Sequence, residues 1–256
     1  MQKATIVIPA YNEEKRICKT LEAYSAYFES LRKDKKLDYD ILVVINNTKD
    51  KTEEIVKRFT KENSRIKYLN FIQGGKGFAI IEGFKEALKR DNELIGFVDA
   101  DMATSPEEYW KLIKNIGEYG GVIASRRLKH SMVNASLYRK LTNRGFNILV
   151  RLLLHLPYYD TQCGAKLFKR ETIKELLTDK INPQWAFDVD LLHKLRNKKI
   201  KEIPTKWEDK AGSKISFITP IKMFSSIVRL RLLYSPLNFI IKGYDILPER
   251  IKIHNL

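Results

Sequence analysis

Two aspartates sit two residues apart in Phe97-Val98-Asp99-Ala100-Asp101, at the end of an apolar run that begins at Leu94. Carboxylates this close repel each other, and in an apolar setting one of them tends to hold a proton. A divalent cation relieves that repulsion, and hard cations such as Mg2+ or Mn2+ take carboxylate oxygens together with those of a bound phosphate. The chain then turns polar through Met102-Ala103-Thr104-Ser105 before Pro106 opens an acidic, helix-like segment. This is the pattern of a buried strand with a charged mouth, and in open α/β sheets ligands sit at the carboxyl ends of strands. Taken alone, the Asp pair reads equally as a solvated turn in which Asp101 caps the next helix.

Two further groups carry chemistry. Arg126 and Arg139 precede an apolar run from Phe146 to Leu156 that Arg151 interrupts. Guanidinium forks suit phosphate, and an anionic head with a greasy tail needs those two neighbours together. Asp188 and Asp190, in Trp185-Ala186-Phe187-Asp188-Val189-Asp190, can orient hydroxyls, hold a metal or act as a base, or simply stabilise a helix start. His155 and His193 sit in apolar or helical surroundings and read as core or surface residues. Cys163 has no neighbour to activate it and reads as a small packing residue.

The elements that must position these residues follow from periodicity. Ala4–Pro9, Asp40–Ile45, Arg65–Phe71, Leu94–Val98 and Gly121–Ala124 are short apolar, β-branched runs, and helical segments separate them. The first helix is expected from Asn12 to about Leu31, the second near Glu53–Phe59 with Asp50 as its cap. The third presents Phe78, Ile81, Phe84 and Leu88 to the sheet. Five strand–helix alternations predict a doubly wound α/β layer. Beyond Ser125 come a polar loop, Tyr159–Gly164, leading into a strand, a helix through Leu195, and an edge strand around Pro204, where a central strand would not tolerate proline. From Pro220 onward apolar and basic residues mix, as in a segment lying in a membrane interface or a helix packed on the domain. The expected division is a catalytic domain over 1–216 and a basic amphipathic extension over 217–256.

Composition bounds the partners. With 256 residues, 47 Lys and Arg against 31 Asp and Glu, and a net charge of +16, the chain attracts polyanions, anionic membranes or phosphorylated substrates. Two cysteines outside any metal-ligand spacing fit a reducing, cytoplasmic setting. No signal peptide is read at the N-terminus and no apolar run is long enough to span a bilayer.

From Thr5 to about Ser216 the chain resembles the family-2 glycosyltransferases of the GT-A fold, within the dolichyl-phosphate mannose synthase-like superfamily. Ile8-Pro9-Ala10-Tyr11-Asn12-Glu13 resembles that family's first nucleotide-binding loop, Gly74-Gly75-Lys76-Gly77 its Gly-Lys-Gly segment, and Asp99-Ala100-Asp101 its Asp-x-Asp. Asp99-Ala100-Asp101-Met102-Ala103-Thr104, Asp160-Thr161-Gln162-Cys163-Gly164 and the Trp185–Asp190 stretch resemble the dolichyl-phosphate glucosyltransferases more than the mannosyltransferases. The resemblance implies a Rossmann-like mixed sheet with helices on both faces and a C-terminal amphipathic helical extension. It implies Pro9, Tyr11, Glu13, Asn46, Lys76, Asp99, Ala100, Asp101 and Lys214 around a nucleotide sugar, with Asp101 on a metal. Arg126, Arg139 and Asn143 are implied at an acceptor phosphate, and Asp101, Asp188, Arg126 and Arg139 in catalysis. In place of the family's Asp-Asp-Gly-Ser the chain has Asn46-Asn47-Thr48-Lys49, which exchanges a charge for an added donor. Ala103 stands where mannosyl relatives place a metal-binding Gln, leaving the ion to Asp101, diphosphate and water.

The resulting expectation is an inverting, metal-dependent transferase, peripheral to the cytoplasmic face of a membrane, that moves glucose from UDP-glucose to dolichyl or polyprenyl phosphate. GDP-mannose as donor, or a sugar hydroxyl as acceptor, would be variants of the same chemistry. A basic nucleic-acid-binding α/β module, or a non-catalytic membrane-binding protein, would be different classes. The basic residues do not interleave with aromatics as in RNA-binding motifs, so no nucleic-acid partner is expected.

Overall fold

The structure, a computed structural model, describes residues 1–178, 181, 186–208, 219–236 and 238–239, with the side chains of 137–139 and 219–223 left aside. Its first half is the expected alternation: β1 (Lys3–Ala10), α1 (Ile17–Lys33), β2 (Asp38–Asn46), α2 (Thr52–Glu62), β3 (Ile66–Phe71), α3 (Lys76–Leu88), β4 (Leu94–Val98), α4 (Pro106–Lys114) and β5 (Gly121–Ser125). There follow β6 (Met132–Asn134), α5 (Leu137–Leu154), β7 (Ala165–Lys169), α6 (Arg170–Leu176), α7 (Phe187–Lys194), β8 (Ile200–Pro204), β9 (Lys206–Glu208) and α8 (Thr219–Leu233).

Seven strands form one sheet in the order β3-β2-β1-β4-β7-β5-β8. β1 pairs in parallel with β2 and β4, whereas β7 enters antiparallel between β4 and β5 and makes the sheet mixed. β4 and β5 are buried along their whole length, as apolar central strands should be. Pro204 closes the edge strand β8, where its missing N–H costs no ladder bond. Helices cover both faces. One core gathers Tyr24, Phe28, Tyr39 and Tyr109 beneath α1 and α4, and the other stacks Phe84, Phe97, Phe168 and Phe187 beneath α3 and α7.

Two elements differ from the periodicity reading. α1 begins at Ile17, not at Asn12, because Asn12 takes a left-handed φ of 52° and its Oδ1 accepts from Lys49 N at 2.9 Å, serving the neighbouring loop. α3 is turned partly away from the expected face: Gly77, Ala79, Ile80, Gly83, Phe84 and Ala87 are its buried residues, while Ile81 and Leu88 are half-buried but still pack against the core and Phe78 is half-buried against Phe71. The cause is Gly83, where a Cβ would lie 2.4 Å from Val7 Cγ1, so only the small-residue face lets the helix close on the sheet. α8 packs on α5 through Ile227 and Leu230, in the same core as Val150 and Leu154, as a helix seated on the domain would. The expected boundary at 216 lies outside the described residues.

Candidate active site

Strand order reverses between β1 and β4, so their carboxyl ends border a crevice at the switch point. Pro9, Ala10 and Tyr11 leave β1 there, Asn46 ends β2, and Asp99, Ala100 and Asp101 follow β4. Three non-glycine residues in these loops, Asn12, Asn47 and Met102, have φ of 52°, 47° and 60°, and Gly75 has 125°. Such strain gathers where surrounding structure enforces a geometry.

Asp99 is held from two sides. Its N–H donates to Gly164 O at 3.1 Å, and its Oδ1 pairs with Lys76 Nζ at 2.6 Å. Gly164 is required by contact, since a Cβ there would lie 1.8 Å from Asp99 Oδ2. Burial pushes the Lys76 ammonium down, but Asp99, Asp188 and Asp101 outweigh it and its pKa is raised, so the side chain stays charged. Asp101 Oδ1 accepts from Ala103 N at 2.9 Å; burial, then the charge of Asp99, raises its pKa. Glu13 takes a two-bond fork from Arg16, at 2.6 and 2.7 Å. Burial raises the Glu13 carboxyl, Arg16 opposes, and Asp101 and Asp99 add to the rise. Ala100 is fixed through its carbonyl, which accepts from Thr20 Oγ1 at 2.6 Å.

Asn46 is buried and ties three segments together: its Nδ2 donates to Ala10 O and its Oδ1 accepts from Gly75 N, both at 3.0 Å. The donor that asparagine adds over aspartate is therefore spent on the end of β1. Asp50 is the expected cap of the next helix, but the N-cap of α2 is Lys51, without a side-chain cap bond; Asp50 stands one residue earlier, where its Oδ1 accepts from Thr52 N at 3.0 Å and its Oδ2 from Glu14 N at 3.1 Å. Tyr11 is exposed at the lip.

The floor of the crevice is built from ion pairs. Lys166, on β7, is fully buried; its Nζ donates to Asp188 Oδ1 at 2.6 Å and to Cys163 O at 2.7 Å, and lies 5.2 Å from the Phe97 ring centre, over whose ring Lys76 Nζ also stands at 5.9 Å. Asp190 instead accepts from Tyr234 OH and joins α7 to the turn that follows α8. The Cys163 thiol is buried and burial pushes it up to about 12, in keeping with a packing role.

Arg126 presents its fork to Asp160, with Nε at 2.7 Å and Nη2 at 2.9 Å, and its own N–H at 3.0 Å. Burial pushes the Asp160 carboxyl up, but Arg126 overcomes this and holds it below the usual carboxylate range. An anion arriving at Arg126 thus meets a guanidinium with one edge already filled. Arg127 is half-buried, and its pKa is lowered by burial, with Asp160 opposing and Arg144 and Arg126 adding to the fall. Asn143, on α5, accepts through its backbone carbonyl from Asn147 Nδ2 at 2.9 Å, and Asn147 Oδ1 accepts from Thr161 N at 3.0 Å, fastening α5 to the Asp160 loop. Arg139 lies in the first turn of α5 with its side chain outside the description, and Lys214 lies outside the described residues.

Among the described residues no three His, Cys, Asp or Glu side chains gather as a ligand set. Asp101 nevertheless fits a hard cation whose remaining ligands are diphosphate and water: it is an oxygen donor whose pKa is raised by burial and then by the charge of Asp99, both of which a cation would offset, while Asp99 Oδ1 is engaged by Lys76.

Sequence reasoning missed Lys166 and Arg16, and it read Asp160 and Gly164 only as the ends of a family-like motif, without a site role for either. Lys166 had a visible signal, a lysine within the apolar strand Ala165-Lys166-Leu167-Phe168, since lysine is almost never fully buried without a partner. For Gly164 and Asp160 the motif was the signal, but their contacts with Asp99 and Arg126 lie on other elements, and Arg16 had no signal because its loop is shaped by α2.

The family model for glycosyl transferase family 2 matches residues 5–177. A dolichyl-phosphate beta-glucosyltransferase of Trichomonas vaginalis is 36% identical over 243 residues, 90% of this chain and 73% of that protein. The dolichyl-phosphate beta-glucosyltransferase of Homo sapiens is 30% identical over 249 residues, 91% of this chain and 76% of that one. Among solved structures, glucosyl-3-phosphoglycerate synthase from Mycobacterium tuberculosis, in complex with Mn2+ and UDP-glucose, superposes with a TM-score of 0.65 at 17% identity, covering 90% of this chain and 78% of that one. A mannosyltransferase from Pyrobaculum calidifontis, in complex with GDP-Man and Mn2+, gives 0.60 at 15% identity, covering 90% and 62%. Those two structures share the fold. The sheet order, the paired aspartates at its switch point and the extent of the sequence match agree: this chain belongs to glycosyl transferase family 2.

Proposed function

We propose that this protein transfers glucose from UDP-glucose to a dolichyl or polyprenyl phosphate, with inversion at C1. The observation that carries the reading is the switch-point crevice, in which Asp99 is clamped by Lys76 and Gly164 while Asp101 stands beside it with a raised pKa. The names of the relatives at 30–36% identity support glucose and dolichyl phosphate as the two substrates.

The acceptor phosphate is already ionised near neutral pH, so its oxygen attacks C1 without a strong base. The C1–O bond to UDP breaks as the new C1–O bond forms, and a single in-line displacement yields the β-linked lipid phosphate sugar. A divalent cation, Mg2+ or Mn2+, held by Asp101 would neutralise charge on the departing diphosphate. Lys76 stays protonated and orients Asp99, which faces the nucleotide with Pro9, Tyr11, Glu13 and Ala100. Asn46 holds the ends of β1 and the Gly75 segment in register for that nucleotide. Asp188, fixed by Lys166, is placed to orient sugar hydroxyls. Arg126, with Arg139 and Asn143 on the α5 side, receives the acceptor phosphate, and Lys214 closes over the diphosphate. A water-soluble donor and a lipid acceptor meet only at an interface, so the enzyme works peripherally, at the cytoplasmic face of a membrane. No helix among the described residues is long and apolar enough to cross one.

The test is transfer of labelled glucose from UDP-glucose to a short-chain polyprenyl phosphate in detergent, with and without divalent metal, for wild type and Asp101→Ala. Metal-dependent product, lost in the variant, is expected. Product from GDP-mannose alone would overturn the sugar, and folded protein giving no lipid-linked product from any nucleotide sugar would overturn the acceptor.

A further inference from the structure

α5 has two faces that do not match an ordinary surface helix. Phe146, Asn147, Val150 and Leu154 point into the core. On the opposite side Leu141, Ile148 and Leu152, spaced i, i+7 and i+11, fall within about 40° of arc at ~100° per residue. They are exposed by 68%, 48% and 67%. Gly145 lies in the same row and a Cβ there would meet nothing within 4 Å. A solvent-facing helix normally carries charge at such positions.

The flank of this row is cationic. Lys140, Arg144 and Arg151 lie along one side, and α5 contains no Asp or Glu in its 18 residues. Arg151 stands 4.7 Å over the ring of Tyr159, itself half exposed, which adds an aromatic with a polar tip beside the apolar row. A second copy meeting α5 face to face would bring these cations together, whereas an anionic lipid surface complements them. The helix itself is tied to the candidate acceptor site, because Asn147 on its buried face fastens α5 to the Asp160 loop that holds Arg126.

We propose that the outward face of α5 is a membrane-docking surface, with Leu141, Ile148 and Leu152 entering the headgroup–acyl boundary of an anionic bilayer and Lys140, Arg144 and Arg151 meeting its phosphates. Apolar insertion flanked by cations is the physical basis of interfacial binding. The consequence for catalysis rests on the lipid-acceptor reading above: docking by this face would present the Arg126 neighbourhood to a phosphate at headgroup depth. The docking itself does not depend on that reading.

The experiment is sedimentation of the full chain with vesicles of phosphatidylcholine containing phosphatidylglycerol, without polyprenyl phosphate or nucleotide sugar. Wild type should bind more weakly as ionic strength rises, and Ile148→Ser/Leu152→Ser should bind at least about ten-fold more weakly. The same variant should keep wild-type glucose transfer to a detergent-soluble, short-chain acceptor, which also establishes that it folds. A fluorophore on Ile148→Cys in a Cys18→Ser background should report water before vesicles are added and an apolar setting afterwards. Unchanged partition of the double-serine variant would overturn the proposal. So would a probe already in an apolar setting without vesicles, which would mean that residues 240–256 or a second copy cover the row. Vesicle binding by a wild type that glucosylates no lipid phosphate would remove the proposed function and leave the docking surface standing.

Discussion

Gly164→Ala is the sharpest perturbation of the site, because the backbone permits it and the neighbour does not. Gly164 is not among the left-handed glycines, so alanine meets no dihedral strain there. Its Cβ would lie 1.8 Å from Asp99 Oδ2 and 2.3 Å from Asp99 Cγ, where ordinary contact begins at 3.4 Å. The carboxylate must therefore retreat by about 1.6 Å, roughly the overlap between those distances. The Asp99 backbone cannot follow, pinned as it is by the 3.1 Å bond from its N–H to Gly164 O. Rotation of the side chain remains, and with 36% of that side chain exposed there is room for it, at the expense of the 2.6 Å contact with Lys76. Fold stability should then fall by only about 1 kcal/mol, since one short polar side chain moves towards water. Catalysis should fall far more: a displacement of ~1 Å in a positioned group costs on the order of 100-fold in rate. The assay is kcat/KM for glucose transfer beside a urea unfolding curve of the same preparation. Activity within about threefold of wild type would refute the claim that Asp99 is held by this contact. Destabilisation above about 4 kcal/mol would refute it too, by showing that the strand and not the carboxylate gives way.

Lys166→Met should lower the unfolding free energy by about 3 kcal/mol in urea titration, because it leaves the Asp188 carboxylate and the Cys163 carbonyl without their buried ammonium. Adding Asp188→Asn should recover part of that loss. Asn46→Asp should cost about 1–3 kcal/mol and weaken UDP binding in calorimetry, since a carboxylate oxygen would face Ala10 O across the 3.0 Å now bridged by an N–H. His193 gives a pH signature: burial, then Arg196, Lys194 and Arg231, push its pKa down to about 4, and its Nδ1 is buried without a hydrogen-bond partner. The ring is neutral when folded, so its contribution of roughly 3 kcal/mol is present above the unfolded value near 6.5 and lost as pH falls from there to about 4. Unfolding curves of wild type and His193→Gln should converge across that window, with the variant showing the shallower acid limb.

The amino-acid sequence alone determined the alternation of β1 to β5 with their helices, the position of Asp99 and Asp101 at a strand end, and the glycine-lysine loop, because each is written in local periodicity or in a contiguous motif. It also determined that Cys163 packs, since nothing near it in the chain could activate a thiol. What the tertiary structure decided are the partners. Lys76 and Asp99 lie on different elements, and their pairing follows from α3 closing on the sheet at Gly83. Gly164 and Lys166 reach the site only because β7 inserts antiparallel beside β4, an event of strand order that no local pattern encodes. From sequence Arg126 reads as an open phosphate fork, and the fold fills one edge of it with Asp160. The apolar run around Phe146 likewise carried no assigned element, and the fold makes it the second half of α5. A helix apolar on two sides can bury either, and only the packing of Val150 and Leu154 on the sheet decides that Leu141, Ile148 and Leu152 face outward.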